Sequence, residues 1–363
     1  MTEGETLRGS LRALFLYDVA EEIQLEALSA LASTARAARE PEFKRPTPDY
    51  VRFERTPVME PVGSVLLESG ERFESRVKYY DYGVVSIEME LPFEGGWADL
   101  VGISNRWLGA PELERKAVEV VRRQVERVRP ALRKPYESWL NEDYYIFQLL
   151  DAGACPSATE LLSRYGAEVA QIVRGEAAPL SAGEQREILQ SSISYYDSDL
   201  LVAGWTAALV WDTPAGAAPT LQLLEYANSQ LLEFRHYDEV LTRVLAEVYR
   251  YLDEQRSFFS RWRLARRAEW LNTIRLDVTE LTERTDNAIK FVSDMFYARL
   301  YRLTAAKVGV SDYRRLVEEK LRTAGELYDF MVNEFHQARA FVLELAIVLI
   351  LIVDLVFLLR GAF

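Results

Sequence analysis

Twenty consecutive residues near the carboxyl end, Ala340 to Leu359, are apolar except for Glu344 and Asp354. As a helix rising about 1.5 Å per residue the run is about 30 Å long, enough to cross a hydrocarbon core. Each acid opposes insertion by roughly 2.5 to 3.5 kcal/mol at a helix centre, whereas each of the sixteen Leu, Ile, Val and Phe residues favours it by about 0.3 to 0.6 kcal/mol. Both acids lie roughly 7 Å from the midpoint of the run, so the full penalty does not apply and insertion wins. One transmembrane helix over residues 340–359 is expected. The alternative is a soluble oligomer that buries this helix as core.

The rest of the chain is long enough for folded units beside the anchor. It has 363 residues, 49% of them hydrophobic. The 43 basic and 56 acidic side chains leave a net charge of −13, the wrong sign for general phosphate-backbone binding, so no direct nucleic-acid partner is expected. Cys155 is the single cysteine, which excludes an intrachain disulfide and suits a reducing compartment. The first residues, MTEGETLRGSLRALFLYD, carry acids before the first basic residue and lack a signal-like apolar stretch. A domain on the cytoplasmic side, tethered by its tail, is the expected arrangement. Arg339 and Arg360 flank both ends of the span, so the positive-inside rule does not fix its direction.

Two segments resemble each other. VKYYDYGVVSIEMEL (Val77 to Leu91) and ISYYDSDLLVAGWTAALVWD (Ile193 to Asp212) each place Tyr-Tyr-Asp before a turn and then strand-forming residues, a hairpin pattern. Each follows a short apolar strand, Leu11 to Asp18 or Tyr144 to Asp151, and a helix-like stretch, Val19 to Arg39 or Ala158 to Arg174. A helix is also expected from about Glu112 to Arg129. Residues 41–70, rich in proline, read as an irregular insertion with a strand at Tyr50 to Arg55. The expected fold is an α+β domain of duplicated β-α-β-β-α units within residues 1–218. A helical stalk of three antiparallel helices over 219–339 follows, then the span. Breaks are expected at Ser257 to Arg261 and Val308 to Ser311. The second helix places Leu271, Ile274, Val278, Leu281 and Met295 on one seam, and the third places Val317, Leu321, Ala324, Tyr328, Met331, Phe335 and Ala338 on another, a 3.5-residue period that predicts coiled-coil packing.

The stretch LLEYANSQLLEFRHYDE, Leu223 to Glu239, with DLLVAGWTAALVWD before it, resembles the YagE-like or "required for meiotic nuclear division" family, a domain of unknown function. The tail is similar to the family's as well: an Arg, then Leu-Glu opening an apolar span, then an acid ten residues on, here Arg339, Leu343, Glu344 and Asp354. The chain departs from that pattern in having Asp at the second acid and a wider gap after the Arg. The resemblance covers about Tyr195 to Leu359 and implies a membrane-associated protein without known catalytic activity. Its mitochondrial members are associated with organellar translation, a role that does not carry over to a chain without an evident transit peptide.

Catalytic signatures are missing from the sequence. His236 and His336 are the two histidines, both on expected helices, and no phosphate-loop, dinucleotide or zinc-protease pattern occurs. No cofactor is expected. Asp197, Asp199, Asp212 and Glu225 are the best carboxylate set for Mg²⁺, although turn aspartates more commonly bond their own backbone. Arg261, Arg263, Arg266 and Arg267, beside Phe258, Phe259 and Trp262, form a basic aromatic stretch suited to an anionic surface, as do the basic residues from Arg115 to Lys134. Glu344 and Asp354 lie about 80° apart around a helix, on one side, and such acids turn toward a partner helix rather than lipid. The function expected is a non-enzymatic, membrane-anchored binding or scaffolding protein that forms a homo-oligomer and binds a protein partner. Its alternative is a metal-dependent enzyme or ligand sensor using the hairpin carboxylates.

Overall fold

The structure is a computed structural model describing residues 6–31, 36–37, 56–153, 155–254, 261–287 and 295–361. Nine strands among them form one sheet in the order β2-β3-β4-β5-β1-β6-β9-β8-β7. They are β1 (Leu7–Ile23), β2 (Arg36–Ala37), β3 (Val58–Leu66), β4 (Arg72–Tyr79), β5 (Val84–Gly95), β6 (Leu132–Asp151), β7 (Ser192–Ile193), β8 (Leu200–Ala203) and β9 (Ala207–Trp211). Neighbours pair antiparallel except β6 with β9. The protein is therefore mixed α and β, with an amino-terminal sheet domain, carboxy-terminal helices and one long apolar helix.

The central strand β1 is apolar over most of Leu11 to Ala20 because both of its faces are covered. Leu7, Leu11, Ala13, Phe15, Tyr17 and Val19 face a core shared with α1 (Leu25–Leu31), α2 (Trp97–Trp107), α3 (Pro111–Arg127), α4 (Ala158–Arg174) and α5 (Ala182–Leu189). Leu14, Leu16 and Asp18 alternate with these residues, point the other way and are also buried. That second face meets the first half of α6 (Pro214–Glu254), as the Lys78–Glu225, Tyr82–Ser229 and Asp18–His236 contacts establish.

Local signals explain much of this. Pro111 starts α3, Ser157 caps α4 through the Glu160 N–H at 3.2 Å, and Gly175 ends α4 in the left-handed region at φ 75°. Where a helix was expected from Val19, the strand continues to Ile23, because Ala20, Glu22 and Ile23 still pair with β6. The segment 193–212, expected as one hairpin, makes two turns. Tyr195 to Asp197 lies in the first and Gly204 to Thr206 in the second, so a third strand, β9, returns parallel to β6. The strand expected at Tyr50 to Arg55 and the break at Ser257 lie outside the described residues.

The chain divides into two compact units, 1–236 with 284–313, and 237–283 with 314–363. The division does not fall at residue 218, since the Leu223 to Phe234 stretch of α6 is buried with the sheet. In the second unit the end of α6, α7 (Arg261–Asn287) and the first part of α9 (Val310–Gly361) enclose Val244, Val248, Ala268, Leu271, Ala324 and Met331. On α9, Val317, Ala324, Met331 and Ala338 are the fully buried seam positions, spaced by sevens. Met295, placed by its period on the α7 seam, instead opens α8 (Met295–Val308) and is exposed. That helix turns Phe296, Tyr297, Leu300 and Tyr301 inward, within the first unit.

Candidate functional site

Between Glu225 and His236, α6 carries polar residues on positions that a helix in contact with a sheet would normally fill with leucine. Glu225, Asn228, Ser229, Gln230 and Glu233 are all buried. Burying such groups costs free energy unless they are bonded, and the sheet's second face supplies partners. Lys78 forms an ion pair with Glu225, the Tyr82 and Ser229 hydroxyls are 2.7 Å apart, and Gln230 donates to the Tyr226 hydroxyl at 3.0 Å. Asn228 donates to the Leu224 carbonyl at 2.8 Å, and the Tyr301 hydroxyl donates to Gln230. Glu225 and Ser229 thus tie the helix to β4 and the β4–β5 turn, while Asn228 and Gln230 bond within α6 and to Tyr301 of α8.

A charge network continues across the same face. Arg12 on β1 donates through Nε to Gln148 at 3.0 Å and through Nη2 to Glu90 at 2.7 Å, and it also pairs with Glu88. Arg76 on β4 reaches Glu88 at 2.8 Å and Glu90 at 3.1 Å. Burial alone would raise the Glu88 carboxyl. The Arg12, Arg76 and Lys78 charges outweigh it and hold that carboxyl below its ordinary value. These side chains, with Glu225 and Ala218, bound a cavity of about 200 Å³. Every cation in it already has a carboxylate partner, so its chemistry is that of a neutralised anchor.

A different geometry arises where β6 breaks register with β1. Asp18 pairs with Leu140 but Ala20 with Pro135, leaving residues 136–139 opposite Val19 alone. Lys134 enters this bulge at φ 47°. Bulges re-aim side chains, and this one sends two aromatics to opposite faces. Tyr136 stacks on His236 with ring centroids 4.9 Å apart, and the His236 Nδ1 lies 2.7 Å from the buried Asp18 carboxylate. Burial raises the Asp18 carboxyl, and the His236 hydrogen bond and charge act against it. Trp139 meets Tyr17 edge-on at 6.2 Å, with the Arg122 guanidinium 5.9 Å from its ring centre. A cleft of about 830 Å³ runs between α3 and the bulge, lined by Tyr17, Glu114, Arg122, Tyr136, Trp139 and Asn141.

The carboxylates proposed for Mg²⁺ are not brought together. Asp199 accepts from the Tyr195 and Tyr196 N–H groups at 2.7 and 3.1 Å, Asp212 from Thr213 N–H at 2.7 Å, and Glu225 pairs with Lys78. Asp197 supplies its backbone carbonyl to Ala158 N–H at 2.7 Å. Among the described residues no three His, Cys, Asp or Glu side chains form a group that could hold a metal. The hairpin aspartates hold turns, as short acids commonly do. Arg261, Arg263, Arg266 and Arg267 open α7; Arg266 is exposed, and the other three side chains lie outside the described residues. Glu344, Asp354, Arg339 and Arg360 are exposed on α9. His236 was singled out from the sequence but Asp18, Tyr136 and Trp139 were not, because contacts between strands and helices far apart in the chain, and a bulge, join them to the rest.

Residues 8–218 match the model of a family described as "Uncharacterized protein MJ0711, N-terminal domain". The uncharacterized protein MJ0711 of Methanocaldococcus jannaschii is 22% identical over 170 residues, which are 47% of this chain and 52% of the relative. The chain thus spans about half the length of the curated relative it matches. No solved structure matches. The family match covers all nine strands and ends within the first turns of α6, before the 223–239 motif.

Proposed function

The chain belongs to the MJ0711 N-terminal domain family, and from that premise we propose that it is a non-enzymatic binding module held at a membrane by α9. One observation carries this reading. Within Val310–Leu358 an 18-residue window has a mean hydropathy of 3.0 with none of it buried, and Phe341, Leu345, Leu349, Ile352 and Val356 are all open. A continuous apolar surface of this length is unstable in water and suits lipid. Deleting residues 341–363 is expected to move the protein from the membrane pellet to the supernatant. Full-length protein found in the supernatant without detergent would overturn the anchor.

The finer organisation is part of the same proposal. The two Tyr-Tyr-Asp turns support related halves in the sheet domain, and the core shared by α6, α7 and α9 supports a helical stalk; the single cysteine, Cys155, suits a reducing, cytoplasmic side for the amino-terminal bulk. The 223–239 motif and the two acids of the tail support kinship with the YagE-like family. Glu344 and Asp354 are costly toward lipid and favour self-association through their shared face. Changing both to leucine should leave the protein in the membrane while abolishing its crosslinked oligomer; an unchanged crosslinking ladder would remove the acids from the interface.

A further inference from the structure

Among the described residues, the register of β6 leaves part of its outer edge without a paired strand. Among the described residues β9 pairs with β6 over Tyr145–Leu149, and no strand pairs with that edge before Tyr145. Tyr145 N–H bonds the Thr206 carbonyl at 3.0 Å and the Leu149 carbonyl accepts from Asp212 N–H at 3.3 Å, so odd-numbered residues here turn their backbone groups away from β1. Asn141 and Asp143 share that parity. The Asn141 carbonyl accepts from Arg235 at 3.3 Å, which leaves the Asn141 N–H and both Asp143 backbone groups facing outward. The 830 Å³ cleft lies alongside, walled by α3 and floored by Tyr17 and Trp139. An open strand edge beside a helix and an aromatic pocket is the geometry that receives an extended peptide as an added strand.

The charge of the cleft selects among occupants. Glu114, Glu126 and Glu137 line it against Arg115 and Arg122. Asp143 adds a carboxylate. It and Glu114 lie close enough to push the Tyr17 phenol above its ordinary value, on top of the larger effect of burial. A second copy of this chain pairing here across a two-fold axis would set these acids against their own images, which disfavours self-pairing. A basic strand meets more carboxylates than cations there, since the acids outnumber Arg115 and Arg122.

We propose that the β6–α3 cleft binds an extended, basic peptide segment of a partner protein, added to the sheet at Asn141 and Asp143 with an apolar side chain on Trp139. This deepens the binding-module reading and rests on it, but its test is independent of membrane location. Full-length protein in detergent micelles would be titrated with a fluorescent peptide of alternating lysine and valine. Two controls accompany it, one with glutamate in place of lysine and one with alternate backbone nitrogens methylated. The lysine peptide should bind saturably, and each control should bind at least about tenfold more weakly. Asn141→Pro, which removes an outward N–H and leaves the β1 ladder intact, should weaken binding about tenfold without changing the circular dichroism spectrum or melting temperature. If that variant fails to fold, Glu114→Gln with Glu126→Gln should instead shrink the preference for lysine over glutamate. The proposal is overturned by absence of saturable binding, by indifference to methylation or charge, or by undiminished binding to folded Asn141→Pro. It is also overturned by a concentration-dependent dimer that Asn141→Pro abolishes, which would assign the edge to a second copy.

Discussion

Arg12→Leu should destabilise the sheet domain by about 3 kcal/mol at neutral pH, the low end of the cost of stripping one partner from a buried ion pair, because this pair is part-buried and Glu88 keeps other cations. Arg12 is 15% exposed in its side chain and uses three nitrogens on Gln148, Glu88 and Glu90. Without it, Glu88 keeps Arg76 and Lys78 but loses the charge that contributes most to holding its carboxyl below the ordinary value of 4.5. The sign of the pH dependence follows. A carboxyl with a depressed folded pKa contributes stability above its unfolded pKa and loses it as pH falls through the folded one. The gap between wild type and Arg12→Leu should therefore be full at pH 7, begin to narrow below about pH 4.5 and close as pH falls through the lower folded value, where Glu88 is protonated and needs no guanidinium. Urea unfolding in micelles, followed by amide exchange of β1 and β5 at both pH values, measures it. An equal gap at both would show that packing, not charge, sets the cost.

That network also shows why the sequence was only half legible. Apolar periodicity announced the long helices, and the seven-residue spacing of Val317, Ala324, Met331 and Ala338 survives in what is buried. The apolar run of β1 was readable as a strand because both faces are covered. The second face was not readable. Arg12, Arg76, Lys78, Glu88 and Glu90 look like solvated positions in an alternating strand, and their partial burial depends on α6, more than 120 residues further on, presenting Glu225 and its neighbours. Resemblance flagged the 223–239 stretch, and in the structure its Glu225, Arg235 and His236 bond the sheet strands. The α2 helix was missed between the first hairpin and α3, as was the β6 bulge. The strand was expected only over Tyr144 to Asp151, so its start at Leu132 and the bulge at 136–139 were not legible, because a register shift is a property of two strands together.

Gly83→Ala should be the more disruptive change, at about 4 kcal/mol or more. The β4–β5 connection is closed by Gly83 N–H to the Tyr80 carbonyl at 3.2 Å and Tyr80 N–H to the Val84 carbonyl at 2.9 Å, a type I turn with a bulge that needs a left-handed residue at its end. Gly83 supplies it at φ +97°. The backbone penalty for an L-residue there is about 1–2 kcal/mol. Sterics add more, because a Cβ would stand 1.7 Å from the Ala20 carbonyl oxygen, and that atom belongs to central strand β1 and cannot swing aside. Gly63, at φ +85° with nothing within 4 Å of its would-be Cβ, is the matched control: Gly63→Ala should show the backbone penalty alone. Relief of the contact would require the hairpin to lift from β1, breaking the bonds from Val19 N–H to the Gly83 carbonyl at 3.1 Å and from Ile23 N–H to the Asp81 carbonyl at 2.9 Å. The same turn carries Tyr82 to Ser229, so the damage should reach the polar face of α6. Amide exchange would then accelerate together in β5 and in residues 225–233 of α6, whereas loss confined to the turn would mean that the helix holds its register without the hairpin.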